Sequence, residues 1–110
     1  MKPFEFTISD VLKGDTINAI TINDIQQDET PVDLSNVNIK MHVRNAGDTL
    51  MYSAEKGNGI TLNGINSITV EPFIVKNVGL MKADIQFTFP DGVVRTWFYY
   101  TFKVCKDLTQ

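Results

Sequence analysis

The last third of the chain reads in a period of two, the repeat that a strand with one buried face imposes on its side chains. Met81, Ala83, Ile85, Phe87 and Phe89 share one parity of a first run. Val94, Thr96, Phe98, Tyr100, Phe102 and Val104 share one parity of a second, with Pro90-Asp91-Gly92-Val93 as the turn between them. Pairing Phe89 with Val94 sets Ile85 against Phe98, Ala83 against Tyr100 and Met81 against Phe102. Both apolar rows then land on one side, so the register is self-consistent. Small Ala83 leaves space for the ring of Tyr100. Each large side chain buried here contributes roughly 1.5–3 kcal/mol, so this hairpin is expected to anchor the core. The same register turns Arg95, Trp97 and Tyr99 outward, across from Thr88, Gln86 and Asp84.

The rest of the chain follows the same rule in shorter pieces. Phe4, Phe6 and Ile8 alternate with Glu5 and Thr7; residues 17–25 are rich in Ile and Thr after a Gly14-Asp15 turn. Val37, Ile39, Met41 and Val43 face one way, while Asn38, Lys40, His42 and Arg44 face the other. A further strand is expected over residues 49–54. Residues 60–62 and 65–70 flank Asn63-Gly64, a favoured two-residue hairpin turn. Residues 72–79 fit either one helical turn opened by Pro72 or a crossover loop. These pieces predict an all-β, antiparallel β-sandwich of about seven to nine short strands with at most one short helical turn. A small closed barrel is the competing architecture.

At 110 residues the chain is the size of one domain, 1–110, with no linker or repeat to divide it. Ten basic residues against thirteen acidic ones give a net charge of -3, without the cationic excess that phosphate binding requires. No nucleic-acid partner is therefore expected. No apolar run reaches the ~18 residues of a membrane span, and the opening residues lack the apolar stretch of a signal peptide, so the expectation is no membrane partner and synthesis in a cytoplasm. One Cys excludes an internal disulfide, and one His excludes a two-histidine metal motif.

Nothing in the sequence assembles a catalytic constellation, so the chain is expected not to be an enzyme and to carry no catalytic residue, metal or cofactor. His42 stands between Lys40 and Arg44, where two cations discourage its protonation. Cys105 has Lys103 and Lys106 nearby but no base arranged to activate it. Asp24, Asp28, Glu29 and Asp33 gather in one connection without the spacing of a calcium loop, and read as a solvated loop. The unusual feature is the outward stripe. Trp, Tyr and Arg are the types most enriched at binding hot spots, so Arg95, Trp97 and Tyr99, with Asp84 and Gln86 opposite, form the candidate interface. The same aromatics would serve as a stacking platform for sugar, with Asp84 and Gln86 as polar partners. Lys40, His42 and Arg44 make a second outward stripe, read as a solvated face able to meet an acidic partner.

The order of the turn and strand residues also resembles a known family. Gly14-Asp15-Thr16 precedes an Ile-rich strand; Pro31-Val32-Asp33-Leu34-Ser35 leads into residues 37–44. Gly79, Asp84-Ile85-Gln86, Asp91-Gly92 and Thr96 follow, and the chain closes on Phe102-Lys103-Val104 with Asp107-Leu108-Thr109. This is similar to the N-terminal domain of the phage baseplate upper protein family, over nearly the whole chain. Leu80-Met81-Lys82-Ala83 departs from the tyrosines that family prefers, and Tyr100-Thr101 replaces a glycine before the final Phe. The resemblance implies an immunoglobulin-like sandwich in a bacteriophage or prophage particle, made in the host bacterial cytoplasm. It implies attachment to other tail or baseplate proteins and a homo-oligomer such as a trimer. The alternative reading is a carbohydrate-binding module for a host-surface glycan.

Overall fold

In a computed structural model, residues 4–106 are described, and every element among them is a strand. The Asp107-Leu108-Thr109 ending lies outside the described residues. Eight strands have three or more residues: β1 (Phe4–Thr7), β4 (Ile20–Ile22), β7 (Asn38–Asn45), β8 (Leu50–Lys56), β9 (Gly59–Leu62), β10 (Ile68–Val70), β12 (Gly79–Thr88) and β13 (Val94–Cys105). Five two-residue strands complete the order: β2 (Val11–Leu12), β3 (Thr16–Ile17), β5 (Gln26–Gln27), β6 (Thr30–Pro31) and β11 (Phe73–Ile74). The segment before Gly79 therefore resolves in favour of an extended crossover over a helical turn.

The main sheet runs β1-β13-β12-β7-β8-β9-β10-β4, with β2 also on β13. It is mixed, which corrects the expectation of a purely antiparallel arrangement. β1 and β2 lie parallel to β13, and β8 lies parallel to β9. The β8–β9 step is a corner built on glycine. Gly59 has φ 98°, and a Cβ there would stand 2.7 Å from the Cβ of Ala54. Only glycine allows the chain to fold back this tightly and leave the β7–β8 half for the β9–β10–β4 half. The sheet does not close on itself: β1 and β4 stand at opposite ends of its order. A groove of about 430 Å³ marks that seam, lined by Phe6, Ile20, Ile22 and Phe98.

The curl buries one face. Ile39, Met41 and Val43 of β7, Met81, Ala83, Ile85 and Phe87 of β12, and Tyr100, Phe102 and Val104 of β13 meet Ile60, Ile68 and Val70 from the other half. β11, paired with β3, bridges the halves, with Phe73 stacked on Tyr52 at 4.5 Å and edge-on to Phe102 at 6.2 Å. The Tyr100 hydroxyl, sunk among these groups, has the Met41 sulfur at 3.2 Å as its partner. Burial and, secondarily, the charge of Tyr52 push its pKa far up, so it stays neutral.

The hairpin that anchors this core keeps the expected register for most of its length. Ile85 faces Phe98, Ala83 faces Tyr100 and Met81 faces Phe102. Between Ile85 and Gln86 the pairing slips by one, so that Gln86 faces Thr96, Phe87 faces Arg95 and Thr88 faces Val94. Trp97 is the extra residue, a β-bulge. The turn tightens accordingly, with the Phe89 N–H bonded to the Val93 carbonyl. A second correction concerns residues 63–67. Leu62 pairs with Ile68 and the Asn63 N–H reaches the Ser67 carbonyl, so the loop has five residues where a two-residue turn was expected. The long intervening loop is held from below: Ile65 and Asn66 offer their carbonyls to the N–H groups of Leu34 and Ile25.

Candidate interaction face

The bulge decides which side chains of β13 face outward. Strict alternation would send Trp97 out beside Tyr99, but the inserted residue reverses parity and carries the indole into the core. Trp97 is 3% exposed and lies against Phe87 at 5.0 Å and Phe89 at 5.6 Å. The outward Arg95–Trp97–Tyr99 stripe is thus lost beyond Tyr99: Trp97 is buried, and Arg95, now paired with Phe87, shares its side of the sheet. Phe98, expected deep in the core, is half-buried beside the seam. Arg95 sits beyond the bulge, exposed at the end of the hairpin and facing Gln27 of β5 across a cleft.

What remains is a polar row running straight across the outer face. The register places Glu5 of β1, Tyr99 of β13, Asp84 of β12, His42 of β7 and Ser53 of β8 side by side. The Tyr99 hydroxyl donates to the Glu5 carboxylate, and that bond raises the phenol's pKa. Lys82 caps the other side of the same ring, its Nζ 4.7 Å from the centroid. Tyr99 and Asp84 therefore stand together as the sequence predicts, and Gln86 lies one row along between Lys40 and Thr96. The Lys40, His42 and Arg44 stripe also faces outward, and Arg44 lies 3.9 Å from Asp48.

Asp84 is the anomaly of this face. Its Oδ1 is buried and accepts no hydrogen bond among the described residues. An acceptor kept from water in this way costs about 1–3 kcal/mol. Asp84, His42 and Ser53 occupy neighbouring strands in one row, a grouping invisible in linear sequence because register alone creates it. No side-chain hydrogen bond joins them among the described residues. A nucleophilic triad needs such a bonded relay, together with free N–H donors aimed at a developing oxyanion. Here the surrounding backbone N–H groups belong to strands paired in the ladder. The adjoining depression, about 190 Å³, is lined by Lys40, His42, Ser53 and Glu55.

The acidic connection carries its residues outward at special backbone positions. Asp28 and Glu29 form the two-residue turn of the β5–β6 hairpin with φ of 52° and 67°. Asp33 accepts from both the N–H and the hydroxyl of Ser35, and these bonds lower its pKa. No cluster of three or more metal-ligating side chains occurs among the described residues. Cys105 is half-buried at the end of β13. No protein-family model and no curated protein matches this chain.

Proposed function

We propose that the chain is a non-enzymatic structural subunit of a bacteriophage or prophage particle, an adaptor of tail or baseplate type built on an immunoglobulin-like sandwich. The virion role rests on the resemblance of the turn and strand residues, and the order of the strands supports the sandwich part of the reading. An N-terminal strand lies parallel to the last strand, followed by β12, β7 and β8, while β9, β10 and β4 form the opposing half. This order supports the sandwich reading, because an immunoglobulin-like domain likewise sets its last strands and the strands after them against an opposing layer.

The residues of the family resemblance also fall where the chain needs them. Gly14, at φ 87°, and Asp15 make the turn after β2, closed by the Asp15 N–H on the Leu12 carbonyl. Leu34 of the Asp33-Leu34-Ser35 loop is fully buried. Gly92, at φ 89°, follows Asp91, whose carboxylate accepts from the Val93 N–H. The face such a domain offers to neighbours is the polar row through Tyr99 and Asp84, with Gln86 beside it, while Arg95, paired with Phe87, stands on the other side at the hairpin end. The glycan-binding alternative loses its main support, because Trp97 is inside and the Tyr99 ring already carries Lys82 on it.

Density-gradient purification of particles from the strain that encodes the chain tests the reading. The chain is expected to band with the particles and to stay there after a salt wash. Recovery only among soluble lysate proteins would contradict it.

A further inference from the structure

The molecule measures 49 × 25 × 22 Å. A twelve-residue strand such as β13 spans about 36 Å and therefore runs along the long axis. This fixes which loops share an end. One end holds the β12–β13 turn, the β5–β6 hairpin and the residue 63–67 loop, tied together by Ile25, Leu34 and the cleft between Gln27 and Arg95. The other end holds the β7–β8 turn, the start of β12, the end of β13 and the β2–β3 turn, joined through Val104–Val11 and Met81–Asn45 pairing.

Charge divides between these ends. Among the described residues the β12–β13 turn end carries Asp24, Asp28, Glu29, Asp33 and Asp91 against Arg95 and Lys56, whose ammonium meets the Leu34 and Ser35 carbonyls, a net of three negative charges. Among the described residues the opposite end carries Lys13, Arg44, Lys76, Lys82, Lys103 and Lys106 against Asp10, Asp15 and Asp48, a net of three positive charges. Exposed apolar side chains divide the same way: Ile65, Val93 and Val94 at the acidic end, Leu50, Ile74, Val78 and Leu80 at the basic end.

From this we infer that the two ends are complementary docking surfaces for copies of this chain, which associate head to tail, acidic end onto basic end. The contact is heterologous, so repetition gives a ring if the rotation closes and an open string if it does not. Each end offers at most about 550 Å² of cross-section, so a pair buries no more than about 1,100 Å² in total, at the lower limit of specific interfaces. Association is accordingly reversible, concentration-dependent and weakened by salt. The inference extends the proposed adaptor role by naming one partner and its geometry, but it is tested on the purified chain and does not require a particle.

Sedimentation velocity at low and high salt, over a wide concentration range, reads it directly. The natural sequence is expected to grow beyond a monomer at low salt and to return to one in 0.5 M NaCl. Reversing the basic end with Lys76→Glu and Lys103→Glu makes both ends acidic; reversing the other with Asp28→Lys and Glu29→Lys makes that end basic. Each variant alone is expected to lose association at least tenfold, and an equimolar mixture to recover it by alternation. Far-UV circular dichroism confirms that both fold, and the salt response of the natural chain stands as a test if either does not. A chain that stays monomeric at millimolar concentration in low salt, variants that associate as well as the natural sequence, or a mixture that remains monomeric would overturn the inference. Self-association without particle banding would leave it standing and remove the virion role instead.

Discussion

The two halves of the β12–β13 hairpin were equally regular as sequence and fold differently. From Gly79 to Ile85 every pair falls where alternation puts it, and Met81, Ala83, Tyr100 and Phe102 are all buried as a result. From Gln86 to the turn the ladder is displaced by one residue, and the side chain displaced is the only tryptophan. The difference lies in how strongly each half specifies its parity. Lys82, Lys103 and Thr101 separate the apolar residues of the first half, so a slip would bury charge. Trp97-Phe98-Tyr99-Tyr100 is four aromatics in succession, so either parity buries a large ring and packing makes the choice. Placing Trp97 on Phe87 and Phe89 fills the turn end of the core, which Arg95 and Thr96 leave thin.

The sharpest way to break this comparison is to truncate both sides of it. Trp97→Ala is expected to cost about 3–5 kcal/mol in denaturant unfolding, as much as Tyr100→Ala. An outward Trp97 would change stability by less than about 0.5 kcal/mol, and that result would restore strict alternation.

The next effect is on pH. The neutral Tyr100 phenol is held in the fold, whereas in the unfolded chain it titrates near 10. Its contribution is therefore complete below pH ~10 and falls above it, by about 1.4 kcal/mol per pH unit at most. Thermal melts of the natural chain and of Tyr100→Phe should diverge only above that pH. At neutral pH the Phe variant is expected within about 1 kcal/mol of the natural chain, because the lost partner is only a thioether.

Smaller still is Asp84→Thr. Removing an acceptor that nothing satisfies, and installing a β-branched side chain on a strand, should raise stability by about 1 kcal/mol. A loss of stability would mean that the carboxylate has a structural partner. Tyr99→Phe, which gives up one exposed hydrogen bond to Glu5, is expected to leave the midpoint of chemical denaturation unchanged.

Much of the fold was legible because alternation is a local signal. β7, β8, β12 and β13 lie within a residue or two of their expected places, and the Lys40, His42 and Arg44 stripe faces out as read. What could not be read is set by contacts far apart in the chain. β1 joins β13 across 94 residues of sequence, and nothing in Phe4-Glu5-Phe6-Thr7 names that edge or its direction. Residues 17–25 break into β3 and β4 because their partners are β11 and β10, themselves short. The candidate face was half visible. Tyr99 with Asp84 followed from register alone, while the loss of Trp97 and the arrival of His42 and Ser53 in the same row needed the bulge and the neighbouring strands.

Because Trp97 is the chain's one tryptophan, its fluorescence isolates this residue without mutation. Burial against Phe87 and Phe89 predicts blue-shifted emission that iodide and acrylamide barely quench until the protein unfolds. Red, freely quenched emission from the folded protein would put the indole in solvent, contradict the bulge and return the outward stripe to β13.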